Sequence, residues 1–187
     1  MANKIQYGIK NVYYAKATDD GNGNLTYAAP VAIPGARSIS LSASGETTNW
    51  HADNKVYYSG NSNNGYEGDL VVAMLPDSFR QEILGEVLSQ NGMYVEKTGA
   101  AAAEFALLFQ FEGDDSATRF CMYRCTAARP DVASSTVEES IEPNEQTISI
   151  TAMARISDDI VKSFALYDAD ATSAYQKWFT EVQEPTL

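Results

Sequence analysis

Chemistry in a protein needs side chains that attack, move protons or hold a metal, and this 187-residue sequence offers few of them. Its one histidine, His51, follows Trp50 in a polar stretch, and any Ser-His-Asp arrangement would have to be built on it. No glycine-flanked serine of the nucleophile-elbow kind accompanies it. A metal site resting on one histidine needs cysteine or carboxylate company at suitable spacing, and none is present. Cys121 and Cys125, read within one strand, share a face with Cα atoms roughly 13 Å apart at ~3.3 Å per residue, beyond the ~7 Å that a disulfide spans. Both are expected to be reduced and buried. The run from Asp19 to Asn24 has the look of a calcium loop. Counted from Asp20, however, the sixth position is Leu25 where glycine is needed, and the twelfth is Val31 where glutamate is needed. It reads as a turn. Gly21 and Gly23 have no third glycine and no following helix, so they form no phosphate loop. The paired acids Asp114–Asp115, Glu138–Glu139 and Asp158–Asp159 fall in turns or loops, with no sign of the cleft a glycosidase needs. The expectation is no catalytic set, no cofactor, no metal, and no enzyme.

Composition supports a folded chain of another kind. The hydrophobic fraction is 44%, which suits a globular domain with a full core, and the length suits one domain with arms. No apolar run approaches the ~20 residues needed to span a bilayer, so no membrane partner is expected. The N-terminal stretch lacks the apolar segment of a secretory signal, which gives the expectation of a soluble protein made in a cytoplasm. The formal net charge is −12, and a basic stripe able to displace counterions from phosphates is missing. Acid of this amount either keeps the subunit soluble or lines a passage through which DNA slides without sticking.

The elements that would position any functional surface are mostly strands. Ile39 and Leu41 alternate with Ser38, Ser40 and Ser42, while Ile148 and Ile150 alternate with Thr147, Ser149 and Thr151, the period of half-buried strands. Both strands carry small hydroxyls on the wet face, where long charged groups are more usual. Phe105, Leu107, Phe109 and Phe111 make a heavier apolar face, and the segment pairs as a hairpin with residues 119–126. Further strands are expected at 8–15, 25–32 and 67–75. Pro76–Asp77, with Ser78 and Gln81 at capping-box spacing, starts a helix whose apolar stripe runs Phe79, Ile83, Leu84, Val87, Leu88 and which stops at Asn91–Gly92. A second helix is expected over 172–182, with Ser173 as its cap and Tyr175, Trp178, Phe179 and Val182 on one face. That face suits either its own domain or a neighbour.

Two polar stretches read as arms that gain partners on assembly, because long loops in compact domains are usually functional. Residues 46–64 carry Trp50, Val56, Tyr57 and Tyr58. Residues 128–145 carry five carboxylates against one Arg129.

Several segments together resemble the major tail protein, or tail-tube subunit, of long-tailed bacteriophages with non-contractile tails. They are 52–58 (ADNKVYY), 63–70 (NNGYEGDL) running into 75–80 (LPDSFR), 125–130 (CTAARP), 134–140 (SSTVEES) and the opening residues 1–12. The resemblance spans nearly the whole chain and weakens after about Ile156. It implies a mainly β fold: a β-sandwich or partial barrel with one flanking helix, completing a tube-lining β-barrel on oligomerisation. As one domain, residues 1–187 would carry arms at about 46–64, 128–145 and 157–187. The implied role is structural: hexameric rings stack into the tail tube, the conduit for DNA ejection into the host. The implied partners are further copies of the chain, a tape-measure protein, and tail terminator and tail-tip proteins. Double-stranded DNA is met only in transit, and assembly takes place in the host bacterial cytoplasm. On that reading Ser38, Ser40, Ser42, Glu67, Asp69, Thr147, Ser149 and Thr151 line the lumen, while Trp50, Tyr57, Tyr58, Val137 and Ile141 meet neighbouring subunits. The alternative is a monomeric β-sandwich that binds carbohydrate on stacked tyrosines, notably Tyr13, Tyr14, Tyr57 and Tyr58.

Overall fold

The structure is a computed structural model that describes residues 5–113, 115–136 and 143–186. Val137, Ile141, Asp114 and the acids Glu138, Glu139 and Glu142 lie outside the described residues, as do 1–4 of the N-terminal motif. In chain order the elements are β1 (Tyr7–Asp19), β2 (Leu25–Tyr27), β3 (Val31–Ala32), β4 (Ala36–Ala43), β5 (Thr47–Ala52), β6 (Lys55–Asn61), β7 (Tyr66–Val72), α1 (Asp77–Glu82), β8 (Val87–Leu88), β9 (Tyr94–Val95), β10 (Phe105–Glu112), β11 (Arg119–Ala127), β12 (Gln146–Met153), β13 (Lys162–Ala165) and α2 (Ala174–Lys177). The fold is mainly β. One antiparallel sheet runs β2-β1-β10-β11-β12-β7-β4, with β3 added to β1 and β13 to β11.

The apolar alternation dictates where the sheet curls. Tyr14, Leu70, Val72, Phe105, Leu107, Ile148 and Ile150 face one core, and Ile39 and Leu41 of β4 pack against it. A single core shared by β1, β4, β7, β10, β11 and β12 requires the sheet to wrap round it. α1 closes the open side, and its Phe79 packs edge-on against Tyr14 and Phe105, at centroid distances of 5.0 and 5.5 Å. The heavy strand β10 is central, paired on both edges, which removes the exposed-edge hazard of its composition.

Four expectations are corrected. The first helix is short: Gly85 takes a left-handed φ of +76°, ending the helix after Glu82, and Val87–Leu88 leave it to pair with Tyr94–Val95. Asn91–Gly92, read as a helix stop, is the turn of that hairpin, with Gly92 at φ +83°. Nor does Ser78 cap α1, whose N-cap is Pro76 with no side-chain bond. Second, residues 46–64 contain the hairpin β5–β6. Asp53 and Asn54 both have positive φ, 52° and 60°, the conformation of a tight type I′ turn. Third, the C-terminal helix has four residues, although Ser173 does cap it by accepting from the Gln176 N–H. Fourth, Cys121 and Cys125 face opposite sides of the sheet. The register slips between Phe105 and Leu107 opposite them, so Cys125 enters the main core while Cys121 joins a second cluster. Both thiols are buried and free.

That second cluster lies on the outer face of β1, β10 and β11. Ala15, Ala106, Leu108, Cys121 and Tyr123 are covered there by Trp178 of the C-terminal segment, with Phe179 and Val182 beside it. The segment therefore packs on its own domain. Trp178 Nε1–H donates to the Phe120 carbonyl at 3.2 Å, and Tyr123 Oη donates to the Gln183 carbonyl at 2.7 Å. At the end of this strap, nearly buried Arg155 holds Asp158 and Glu184 and lies 4.5 Å over the Tyr123 ring.

Candidate functional site

The strap covers only part of the outer face, and the part it leaves bare belongs to β4, β7 and β12. Residues directly opposite in antiparallel strands share a face, so the register assembles the polar positions into three rows. Ser38, Val71 and Thr147 make the first; Ser40, Asp69 and Ser149 the second; Ser42, Glu67 and Thr151 the third. All eight residues expected to line a lumen therefore meet on one surface. Val71 and Thr151 are half-buried, and the other seven are exposed. Thr126 of β11, opposite Thr151, extends the third row and was missed by the alternation argument. In unbroken alternation Thr126 would share the core-facing side of Phe120 and Met122, and the bulge beside Cys125 turns it outward.

The electrostatics of this surface are one-sided. Ser149 Oγ donates to Asp69 Oδ1 at 2.7 Å. Glu67 and Asp69 supply the charge in the three rows, and no Lys or Arg stands in them. The two cations that border the rows are matched by acids. Arg37 pairs with Glu145, and Arg124 pairs with Glu104 at 2.8 Å, an ion pair that raises the Arg124 pKa further. Among the described residues, no three His, Cys, Asp or Glu side chains converge as metal ligands would. The surface offers hydroxyl dipoles and two carboxylates, suited to contact with water and repulsion of anions, with no nucleophile–base pair.

The aromatic residues expected at subunit contacts sit on the β5–β6 hairpin. Trp50 is 58% exposed, Tyr57 76% and Tyr58 62%. Trp50 meets Tyr57 edge-on at 5.8 Å, and Trp50 and Tyr58 are cross-strand partners. The cluster stands on a hairpin with no face on the core, so these rings pack on one another in the open. The tyrosine platform of the carbohydrate reading does not form. Tyr14 is fully buried, its hydroxyl pKa pushed up to about 12 chiefly by that burial, and Tyr13 stacks on Phe179 at 4.9 Å.

The sequence model of one protein family, described as phage tail tube protein, matches residues 2–181. No curated protein matches the sequence. Among solved structures, the chain is similar to the cap that terminates the tube of the anti-feeding prophage, determined by cryo-electron microscopy. Identity is 10%, the TM-score 0.50, and the match covers 87% of this chain and 94% of that one. At this identity the likeness concerns the fold.

Proposed function

Because the chain belongs to the phage tail tube protein family, a family of structural rather than enzymatic proteins, we propose that it forms the tail tube itself. Copies close into hexameric rings, rings stack, and the bare face of β4, β7 and β12 lines the bore. A tape-measure protein fills that bore during assembly in the host bacterial cytoplasm, and terminator and tip proteins cap its ends. Double-stranded DNA later passes through it into the host.

The observation that carries this reading is the three-row polar face. A sheet surface of serine, threonine and acid, with no Lys or Arg in its three rows, is unusual for a solvent face and apt for a passage. DNA carries one negative charge per ~1.7 Å of axis and binds proteins mainly through Lys and Arg. A bore of hydroxyls and carboxylates offers it no such hold, so passage meets little friction. The exposed sheet edges support the same reading, since pairing with a neighbour removes them. Trp50, Tyr57 and Tyr58 then bridge one ring to the next. Contacts of this heterologous kind close within a ring and continue between rings as an open filament.

Size-exclusion chromatography with light scattering, followed by negative-stain electron microscopy of the concentrated protein, tests the reading. Hollow rings or tubes are the expected outcome. A monomer at every concentration, even with tip proteins added as nuclei, rejects it.

A further inference from the structure

Strand β7 separates two apolar ribbons that the rest of the subunit leaves uncovered. At its start the β4–β7 ladder runs on into the β5–β6 hairpin, where the Asn64 N–H donates to the Ser44 carbonyl and the Ser62 N–H to the Glu46 carbonyl, each at 2.9 Å. At its far end, after Val72, the chain passes through Met74 into α1 and then into the β8–β9 ribbon. The seven residues of β7 set the two ends apart by roughly 23 Å at ~3.3 Å per residue.

The β8–β9 ribbon is as bare as the hairpin. Met74, Val87, Leu88, Met93, Tyr94 and Val95 are all exposed, and none joins either core cluster. Val87 pairs with Val95 and Leu88 with Tyr94, so each pair marks one face. Gln81 of α1 donates to the Tyr94 hydroxyl at 3.4 Å, which ties the Leu88–Tyr94 face to the helix and leaves Val87 and Val95 on the other. A hollow of about 490 Å³ opens at the ribbon's base, with Leu84, Ala100, Ala127 and Lys97 among its walls. The acids that flank β8 and β9 in sequence are neutralised, Glu86 by Arg80 at 3.2 Å and Glu96 by Arg129. Lys97 is exposed and in no ion pair among the described residues, and so is Asp53 at the hairpin tip.

We infer that the β8–β9 ribbon is the seat of a second copy's hairpin: Trp50 and Tyr57 of one subunit pack on Val87 and Val95 of the next, and Asp53 meets Lys97. Exposed apolar patches of this kind mark contact surfaces, and a copy that carries a different one at each end of β7 joins the next head to tail. That is the heterologous contact which continues as a filament. The aromatic rings bring large rigid area, and the ribbon with its alanine-walled hollow brings small side chains for them to cover. Charge sets which end meets which, because the one open acid of the hairpin tip faces the one open cation of the ribbon base. The inference rests on the polymer proposed above and names the surface that receives the hairpin.

The test uses the unaltered protein, treated with a carbodiimide that joins a carboxylate to an amine in contact with it as an amide. Peptide mass spectrometry then reads which pairs are joined, and mixing isotope-labelled with unlabelled subunits marks the products that are intermolecular. An Asp53–Lys97 amide in assembled material, mixed in label and absent from the monomer, is expected. Lys97→Gln should abolish that product. Val87→Asp should weaken assembly at least tenfold while leaving the unfolding of the monomer unchanged, since Val87 lies outside both cores. Tubes that yield no Asp53–Lys97 product, or in which Asp53 links instead to Lys162 or Lys177, overturn the seat while leaving the tube intact. Normal assembly of V87D overturns it equally. Wild-type protein that never forms rings or tubes overturns both.

Discussion

Ser149 on β12 donates its hydroxyl to Asp69 on β7, 2.7 Å across a directly opposed strand pair. The bond fixes an outward carboxylate in the middle row of the bare face, with Ser40 on its other side. A hydrogen bond to a charged acceptor is stronger than a neutral one, so this side chain is held aimed outward. Seated among hydroxyls, it gives the face its sign.

Reversal of that sign should make the face hold DNA. Replacing Glu67 and Asp69 together by lysine leaves the core untouched, since both side chains are exposed. Wild-type tubes should fail to retain double-stranded DNA in co-sedimentation. Tubes of the double variant should retain it at low salt and release it as salt rises, the signature of phosphate contacts. Retention indistinguishable from wild type would mean that these rows do not face the bore.

The hairpin aromatics should matter for assembly and hardly at all for folding. Trp50→Ala and Tyr57→Ala remove exposed side chains, and surface changes of this kind usually stay within about 0.5 kcal/mol of stability. Aromatic anchors buried at an interface commonly cost about 2 kcal/mol or more when truncated, roughly thirtyfold in association. Light scattering against concentration, paired with thermal unfolding of the monomer, separates the two effects.

The polar face was legible in the sequence because period-two alternation survives translation into strands, and pairing then brought together what alternation had only sorted. Thr126 escaped because a bulge beside Cys125 reverses the facing of its strand, a feature set by the register of β10 against β11 rather than by local pattern. The first helix was over-extended for a similar reason. Ile83, Leu84, Val87 and Leu88 have helical spacing, yet Gly85 in the left-handed region breaks the turn. The aromatics of residues 46–64 were noticed and their hairpin was not, because its turn uses Asp53–Asn54 without glycine. Where the C-terminal stripe packs depends on a bare apolar patch on distant strands, which spacing alone does not reveal.

Loss of the strap should expose that patch. Trp178→Ala removes an indole that is 3% exposed over Leu108, Cys121 and Tyr123, and large-to-small changes of this size cost about 3–5 kcal/mol. The variant should bind a hydrophobic dye at temperatures where the wild type does not. Equal dye binding and an equal melting temperature would show that the strap carries little of the fold.

Acid should loosen the same strap at the Arg155 corner. Partial burial opposes ionisation of Asp158, but the hydrogen bonds it accepts from Arg155 and the Ile160 N–H outweigh that, so its pKa is lowered. A folded-state pKa below the unfolded value gives stability that is complete above the unfolded pKa and is lost as pH falls through the folded one. The strap should therefore hold at neutral pH and loosen below about pH 4, the ordinary aspartate value. Asp158→Asn should flatten that acid limb when melting temperature is followed against pH. An unchanged limb would assign the loss to other carboxylates.

Gly68 should be the glycine on which the bare face depends. It lies in β7 between Leu41 and Ile150, with an ordinary extended backbone, so the demand is for space rather than for a left-handed conformation. A Cβ at this position would stand 1.8 Å from the Ser40 carbonyl oxygen and 2.8 Å from its carbon, both backbone atoms of β4. Backbone in a paired strand cannot rotate aside as a flexible side chain can, so Gly68→Ala must push β4 away from β7. Overpacking of this kind costs about 1–3 kcal/mol. It should also be local: amide hydrogen exchange should lose protection along β4 while the β7–β12 pair keeps it, and assembly through the β4 edge should fail with it. Gly99→Ala, where an added methyl meets nothing within 4 Å, is the matched control and should alter neither. If Gly68→Ala keeps β4 protected, the strands have slack that this contact denies, and the close β4–β7 approach is not what holds Ser38, Ser40 and Ser42 in line with Asp69 and Glu67.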